Sequence, residues 1–198
     1  MADAKPIPVS RLITIPATIT LAVTILRLAG ELKHWPGTWF SAAAGEGPRS
    51  AGKAIGFALL GLVAFLLVAG VLLQLTLRHP SLLTLAMFPV MLVTGFVPLA
   101  GWKSLGNTLL AYALAARIPV LIVMYSAMSG KGGAGWGTHY DAVAPMLAHL
   151  PLGRKYLYAA IVPQLTLWIA WTVILGAIFG TTVAAIARRG KPPAPASE

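Results

Sequence analysis

The stretch AIGFALLGLVAFLLVAGVLLQLTL, from Ala54 to Leu77, decides the fold of this chain. It contains no charged residue, and the basic residue Arg78 follows it directly. A helix needs about 20 mostly apolar residues to cross the hydrocarbon layer of a bilayer, which is roughly 30 Å thick. The stretch therefore predicts a transmembrane helix.

Four further apolar runs of comparable length lie between charged or turn-rich segments. Together the runs predict an all-α, multi-pass transmembrane helical bundle with five spans, at about residues 9–29, 54–77, 81–100, 105–128 and 163–187. The first run is long for a signal peptide, and Gly30-Glu31 is not a small-x-small cleavage site. We expect one bundle domain over residues 1–190, followed by a disordered, proline-rich tail over residues 191–198.

The third run contains Pro89 and Pro98, which leave its path open. A proline inside a water-exposed helix costs about 3 kcal/mol or more, and less where neighbouring helices satisfy the freed carbonyl group. The run either spans the membrane as a bent helix or re-enters it from one side. Four spans plus a re-entrant segment are therefore the alternative to five spans.

The composition points to a bilayer and away from water or nucleic acid. Of the 198 residues, 58% are hydrophobic and 10% are charged, against roughly 25% charged in an ordinary soluble domain. The basic residues mostly lie at the ends of apolar runs, where they meet water and lipid headgroups. We expect the lipid bilayer as partner, no nucleic acid, and a location in a cell (inner) membrane. The basic stop Arg188-Arg189 after the fifth run favours a cytoplasmic C-terminus.

Arg117 lies near the middle of the fourth run. A charge at membrane depth costs several kcal/mol and is seldom kept without a partner or a water-filled site. Arg117 could contact an anion or substrate, or pair with Glu31; alternatively, its long side chain could extend to the membrane surface. Arg27 and Glu31 are four residues apart, which is the spacing of an ion pair on one helical face.

The segment Trp136-Gly137-Thr138-His139-Tyr140-Asp141 holds most of the proton-handling and ligand-forming side chains of the chain. The candidate ligand contacts in it are Trp136, His139, Tyr140 and Asp141. A metal at His139 and Asp141 would need further ligands, for which the chain offers His34, His149 and Glu31. The alternative is a folded polar loop in which Asp141 caps a turn and the aromatic side chains lie at the lipid surface. No metal or cofactor is assigned.

Motifs of soluble enzymes are weak in this sequence. Gly130 to Gly135 matches the dinucleotide fingerprint G-x-G-x-x-G, but an apolar run precedes it instead of a strand, and no acidic residue follows at the ribose distance. These glycines are typical of a flexible hinge. The chain has no cysteine and only 5 acidic residues, so nucleophiles and general acids are scarce. We therefore expect that the chain is not an enzyme.

Small residues recur at four-residue spacing in the fifth run, at Thr172, Gly176, Gly180 and Ala184. Such a stripe lets another helix approach closely. It predicts an internal packing face, or else a contact face for a homo-oligomer or a membrane-protein partner. We expect a non-catalytic transport component or a structural subunit of a membrane complex. The alternative is a membrane-embedded enzyme or metal-binding protein that uses residues 136–141.

Overall fold

A computed structural model describes residues 18, 22, 25, 26, 29, 33, 48, 50–78 and 85–187. All regular elements in these residues are helical. The α-helices are α1 (Ala51–Arg78), α2 (Met87–Thr94), α3 (Lys103–Ser129), α4 (Leu152–Tyr156), α5 (Val162–Leu165) and α6 (Leu167–Ala187). A π-helical turn, Leu157–Ile161, joins α4 to α5. The all-helical prediction is confirmed for this part of the chain.

Three helices in the described residues are long and apolar enough to cross a membrane: α1, α3 and the helical stretch Leu152–Ile186, which includes α4 and α5 and most of α6. This last helix begins at Leu152, before the predicted span over residues 163–187, because the polar residues of its first turns are also helical. The first predicted run contributes helical residues at the described positions 18, 22, 25, 26 and 29. The rest of that run and the tail lie outside the described residues, and the count of five spans is not confirmed.

Helix α1 has a polar start and an apolar body. The Ser50 Oγ accepts a hydrogen bond from the Lys53 N–H at 3.3 Å, which satisfies one donor of the first turn. Ala58 and Phe65 are buried, whereas Leu67 is 67% exposed. One face of the helix therefore packs inside the protein, and the exposed leucine suits contact with lipid.

The third predicted run lies antiparallel to α1. Gly101 contacts Ala54, and Pro98 lies against Gly61. Farther along α1, Phe65 belongs to the same buried cluster as Met91. Residue numbers therefore rise along one segment as they fall along the other, and the third run returns beside α1 toward its start.

This third run is a broken helix. Helix α2 ends at Thr94, and a turn leads to the 3-10 helix Val97–Ala100. Pro98 lacks the N–H group that would bond to the Thr94 carbonyl in a continuing α-helix. Pro89 lies in the first turn of α2, where an N–H group has no intrahelical partner to lose. Of the two prolines, only Pro98 coincides with a break.

Contacts divide the chain into two compact units. The first unit consists of Met1–Ser41 and Ala115–Gln164, and the second of Ala42–Leu114 and Leu165–Glu198. Helix α3 contributes its beginning to the second unit and its end to the first. Whether the chain is a single domain stays a prediction.

The second unit is built around α6. Trp171 on α6 contacts Phe65 on α1, with ring centroids 5.4 Å apart. On another side of α6, Ile169 and Val173 pack with Ala113 on α3. The buried residues of α6 thus pack against α1 and α2 in one cluster and against α3 in the other.

Leucine side chains of α3 lie against the two glycines of the predicted small-residue stripe. Leu109 of α3 lies against Gly176, and Leu105 lies against Gly180. The close backbone contacts of this unit lie elsewhere. A Cβ added at Gly95 would be 2.7 Å from the Ala170 Cα, and one added at Gly101 would be 2.7 Å from the Ala54 Cα. The closest contacts between backbones in this unit therefore occur at two glycines outside the stripe.

We expect Gly95→Ala and Gly101→Ala to destabilise the protein by about 1–3 kcal/mol, the usual cost of overpacking. Gly70→Ala is the matched control because a Cβ there meets nothing within 4 Å, and alanine favours a helix over glycine by about 0.5–1 kcal/mol. Thermal unfolding in detergent, followed by tryptophan fluorescence, measures the difference. A Gly95→Ala protein that melts as high as Gly70→Ala would contradict the close backbone contact.

Candidate functional site

Two polar side chains meet inside the first unit. Arg117 lies on α3, about 21 Å along the helix from its start at 1.5 Å per residue. Its Nη1 donates a hydrogen bond to the Oε1 of Gln164 on α5 at 3.2 Å, and its Nε is buried. The Gln164 Nε2 lies 3.6 Å from the Met124 Sδ, a weak acceptor. Arg117 and Gln164 thus form a polar pair between helices that are mostly apolar.

Both helices are irregular beside this polar pair. Pro119 lies inside α3, two residues after the arginine. On the other helix, Pro163 directly precedes Gln164, and the π-helical turn Leu157–Ile161 ends shortly before it. Prolines and π-turns interrupt the regular hydrogen-bond ladder and are common causes of bends. The polar pair therefore sits where both helices depart from ideal geometry.

Tyr156 of α4 contacts α3 one turn along α3 from Arg117. The Tyr156 hydroxyl donates a hydrogen bond to the Leu121 carbonyl oxygen at 3.0 Å. The Tyr156 ring also meets the Tyr125 ring edge-on, with centroids 5.1 Å apart. Such edge-to-face pairs contribute about 0.5–1.5 kcal/mol beyond the area they bury. The geometry around Arg117 is therefore braced by a second polar contact.

Asp141 organises the connection between α3 and α4. Its Oδ1 accepts hydrogen bonds from the Thr138 N–H at 2.7 Å and the Thr138 hydroxyl at 2.6 Å, and its Oδ2 accepts one from the Gly137 N–H at 2.8 Å. Partial burial of the carboxyl group opposes ionisation, but the hydrogen bonds outweigh it and hold the pKa of Asp141 below its usual value. Both carboxylate oxygens are thus engaged within the turn.

Glycines let the chain fold around this carboxylate. Gly135 and Gly137 have positive φ angles of 77° and 72°, a region that favours glycine. A Cβ at Gly135 would collide with the Asp141 carboxylate, and one at Gly130 would collide with the Trp136 ring. Gly130 and Gly135 are therefore closely packed, whereas Gly132 and Gly133 meet no neighbour within 4 Å; whether the cluster is a hinge stays a prediction.

The aromatic residues of the loop anchor it to the first unit. Tyr140 is 6% exposed and belongs to a buried cluster against which Trp136 packs. His139 is exposed, and its ring centroid lies 3.9 Å from that of Tyr140. Burial raises the pKa of Tyr140 above its usual value. The segment is a folded polar loop, but Tyr140 is buried within the protein instead of lying at the lipid surface, and Asp141 bonds to the residues before it instead of capping a following turn.

Only part of the predicted set comes together. In the described part of the chain, no three His, Cys, Asp or Glu side chains converge to hold a metal. Arg27, Glu31 and His34 lie outside the described residues, so pairing of Arg117 with Glu31 stays a prediction. Gln164 is the partner that sequence reasoning missed. The sequence feature that could have identified it is an amide side chain near the start of the apolar fifth run.

No protein-family model, curated protein or solved structure matches the chain. Function must therefore be inferred from the arrangement of the side chains themselves.

The carboxylate of Asp141 should stabilise its turn only while it is ionised. Its pKa is lowered in the folded chain, so this contribution is complete above the pKa of an unfolded aspartate, about 3.9, and is lost as the pH falls through the lower folded value. Asp141→Ala should remove it at every pH. Hydrogen exchange of the Gly137 and Thr138 amides measures the effect, and unchanged protection in Asp141→Ala would contradict it. His149→Ala, at an exposed position of the same connection, is the control.

Proposed function

We propose that the chain is a non-catalytic, multi-pass membrane protein that acts as a small transport component. Arg117 and Gln164 form its solute-contacting site in this proposal. The observation that supports it most is the hydrogen bond between a guanidinium near the middle of α3 and an amide about one third of the way along the helical stretch Leu152–Ile186. Because a charged side chain at mid-depth of a bilayer is costly, residues of this kind usually serve a pathway or a binding site.

The irregular helices beside the pair support the same proposal. Non-helical backbone at membrane depth is tolerated where it lines a cavity or is buried in protein. Many transporters bind their substrates where transmembrane helices are interrupted near the bilayer midplane. Pro119 and the π-helical turn supply such interruptions on both sides of the pair. The solute class that fits is a small anion or an uncharged hydrogen-bonding molecule.

The third run completes the proposed topology as a bent span. Helix α1 has 28 residues and is therefore about 42 Å long. The chain leaves α1 at Arg78, yet Gly101 contacts Ala54 near the start of the same helix. A segment that re-entered from the side of Arg78 would not reach that point. With the first run as a further span, this gives five.

The proposed orientation rests on the basic residues next to α3 and α6 in the sequence. Leu105 and Leu109 of α3 meet Gly180 and Gly176 of α6 in reverse order, so α6 ends where α3 begins. Lys103 and the end of α6 therefore lie at the same end of the second unit, and the basic residues Arg188 and Arg189 follow α6 in the sequence. We propose that this end faces the cytoplasm of a cell whose inner membrane holds the protein.

The alternative of an enzyme or metal-binding protein at residues 136–141 has less support. Both oxygens of Asp141 accept hydrogen bonds within the turn, and Tyr140 is buried. The second candidate function is a structural subunit that does not transport a solute. The flux experiment below distinguishes it from the first.

The transport proposal predicts solute entry that depends on Arg117. Purified protein in liposomes is tested by stopped-flow light scattering with chloride, nitrate, phosphate, urea and glycerol. At least one probe should enter faster than into protein-free liposomes. Arg117→Gln should reduce that rate by about tenfold, in line with about 1.5 kcal/mol for a hydrogen bond to a charged group. Arg117→Lys should keep part of it.

Gln164→Leu should give an intermediate rate because it removes the partner of Arg117 and keeps the charge. Equal elution volumes and melting temperatures establish that the variants are folded. Entry of all five probes at the rate of protein-free liposomes would overturn the transport proposal and leave the structural role.

The five-span topology predicts opposite labelling of the two ends of α1. The chain has no cysteine, so single cysteines can be introduced without background. Ser50→Cys and Lys103→Cys should react with a membrane-impermeant maleimide from one side, and Arg78→Cys from the other. Labelling of Lys103→Cys and Arg78→Cys from the same side would show that the third run re-enters.

A further inference from the structure

The second unit contains a cavity of about 720 Å³ where α1 and α3 begin. Its polar lining consists of Ser50, Lys53, Trp102, Lys103, Ser104 and Asn107. Both lysines are exposed, and no acidic side chain is among the described residues that line the cavity. Its polar wall therefore carries two positive charges and several hydrogen-bond donors.

Close packing holds the walls of this cavity in place. Gly101 lies directly against the backbone of Ala54, which fixes the start of α3 to the start of α1. The Trp102 Nε1 donates a hydrogen bond to the Ser104 Oγ at 2.9 Å. The lysines thus extend from a rigid frame, so binding a ligand would cost little ordering of the backbone.

The cavity lies at the boundary between apolar and polar sequence. Lys53 directly precedes the uncharged stretch that begins at Ala54, and Lys103 precedes the one that begins at Leu105. Trp102 between them is a residue typical of the level of lipid headgroups. A ligand in the cavity would therefore meet water on one side and hydrocarbon on the other.

An exposed apolar track leads away from the cavity along α1. Leu60 and Leu67 follow Lys53 at intervals of seven residues, which places all three on one helical face. Leu60 is 55% exposed and Leu67 is 67% exposed. A molecule with a negative head at Lys53 and a long apolar tail could lie along this face.

We propose that the cavity binds a phosphate-bearing anion, and that this anion is the headgroup of an acidic phospholipid. The ammonium groups of Lys53 and Lys103 supply charge, and the Asn107 amide supplies further donors to the phosphate oxygens. The inference rests on the proposed membrane location and is independent of transport. Inorganic phosphate shares the headgroup chemistry but lacks the tail that the Leu60 and Leu67 track would hold.

Native mass spectrometry of the delipidated protein in detergent tests the proposal. Phosphatidylglycerol should bind about 30-fold more tightly than phosphatidylcholine, and Lys53→Gln/Lys103→Gln should remove that preference, since each basic residue near a lipid surface contributes about 1 kcal/mol. Lys53→Arg/Lys103→Arg should retain it. The matched control is Arg78→Gln/Arg154→Gln, which removes two exposed charges outside the cavity.

Equal loss of the preference in the control and in the lysine-to-glutamine variant would overturn the site, because the attraction would then be general. If 10 mM inorganic phosphate displaces phosphatidylglycerol and binds as tightly as the lipid, the lipid assignment is overturned in favour of a free anion. Arg117→Gln should bind phosphatidylglycerol like the wild type, so failure of the transport proposal would leave this result unchanged.

Discussion

A bilayer interior offers no hydrogen bonds, so a chain that crosses it must satisfy its backbone within its own helices. This constraint explains the long uninterrupted course of α1, and it gives meaning to each departure from it. Where α2 ends, the Thr94 Oγ1 donates to the Met91 carbonyl oxygen at 2.6 Å. Beside the π-helical turn, the Tyr156 hydroxyl reaches the Leu121 carbonyl oxygen at 3.0 Å. Side chains therefore supplement the backbone hydrogen bonds at these two places.

Two sets of described hydrogen-bonding side chains in the first unit have different roles. Asp141 gives both carboxylate oxygens to its own turn, so the loop is ordered by local contacts. Arg117 and Gln164 bond across helices, and nothing in the local sequence requires that contact for helix formation. The Asp141 oxygens are already bonded within the turn, whereas the Arg117–Gln164 pair lies among apolar helices, where a solute can bind to it. This contrast is why the proposed function rests on Arg117.

The helices could be predicted where length and hydropathy decide, as in α1 and α3. A turn-capping role for Asp141 could also be predicted, but not that its partners Gly137 and Thr138 precede it in the chain. Contacts between distant segments could not. Arg117 and Gln164 are 47 residues apart, and no spacing rule links them. The close backbone approach at Gly95 depends on which residue of α6 faces it, so the more visible pattern of small residues at Gly176 and Gly180 does not identify it.

The π-helical turn Leu157–Ile161 changes the direction in which the side chains after it point, relative to those before it. Each residue of an α-helix advances the side chains by about 100°, and a π-turn accommodates an extra residue without lengthening the loop on either side. Tyr156, before the turn, meets Leu121, and Gln164, after it, meets Arg117. Loss of one residue from the turn would rotate one contact by about 100° relative to the other. The two could then no longer face α3 together, so the length of this segment is as constrained as its composition.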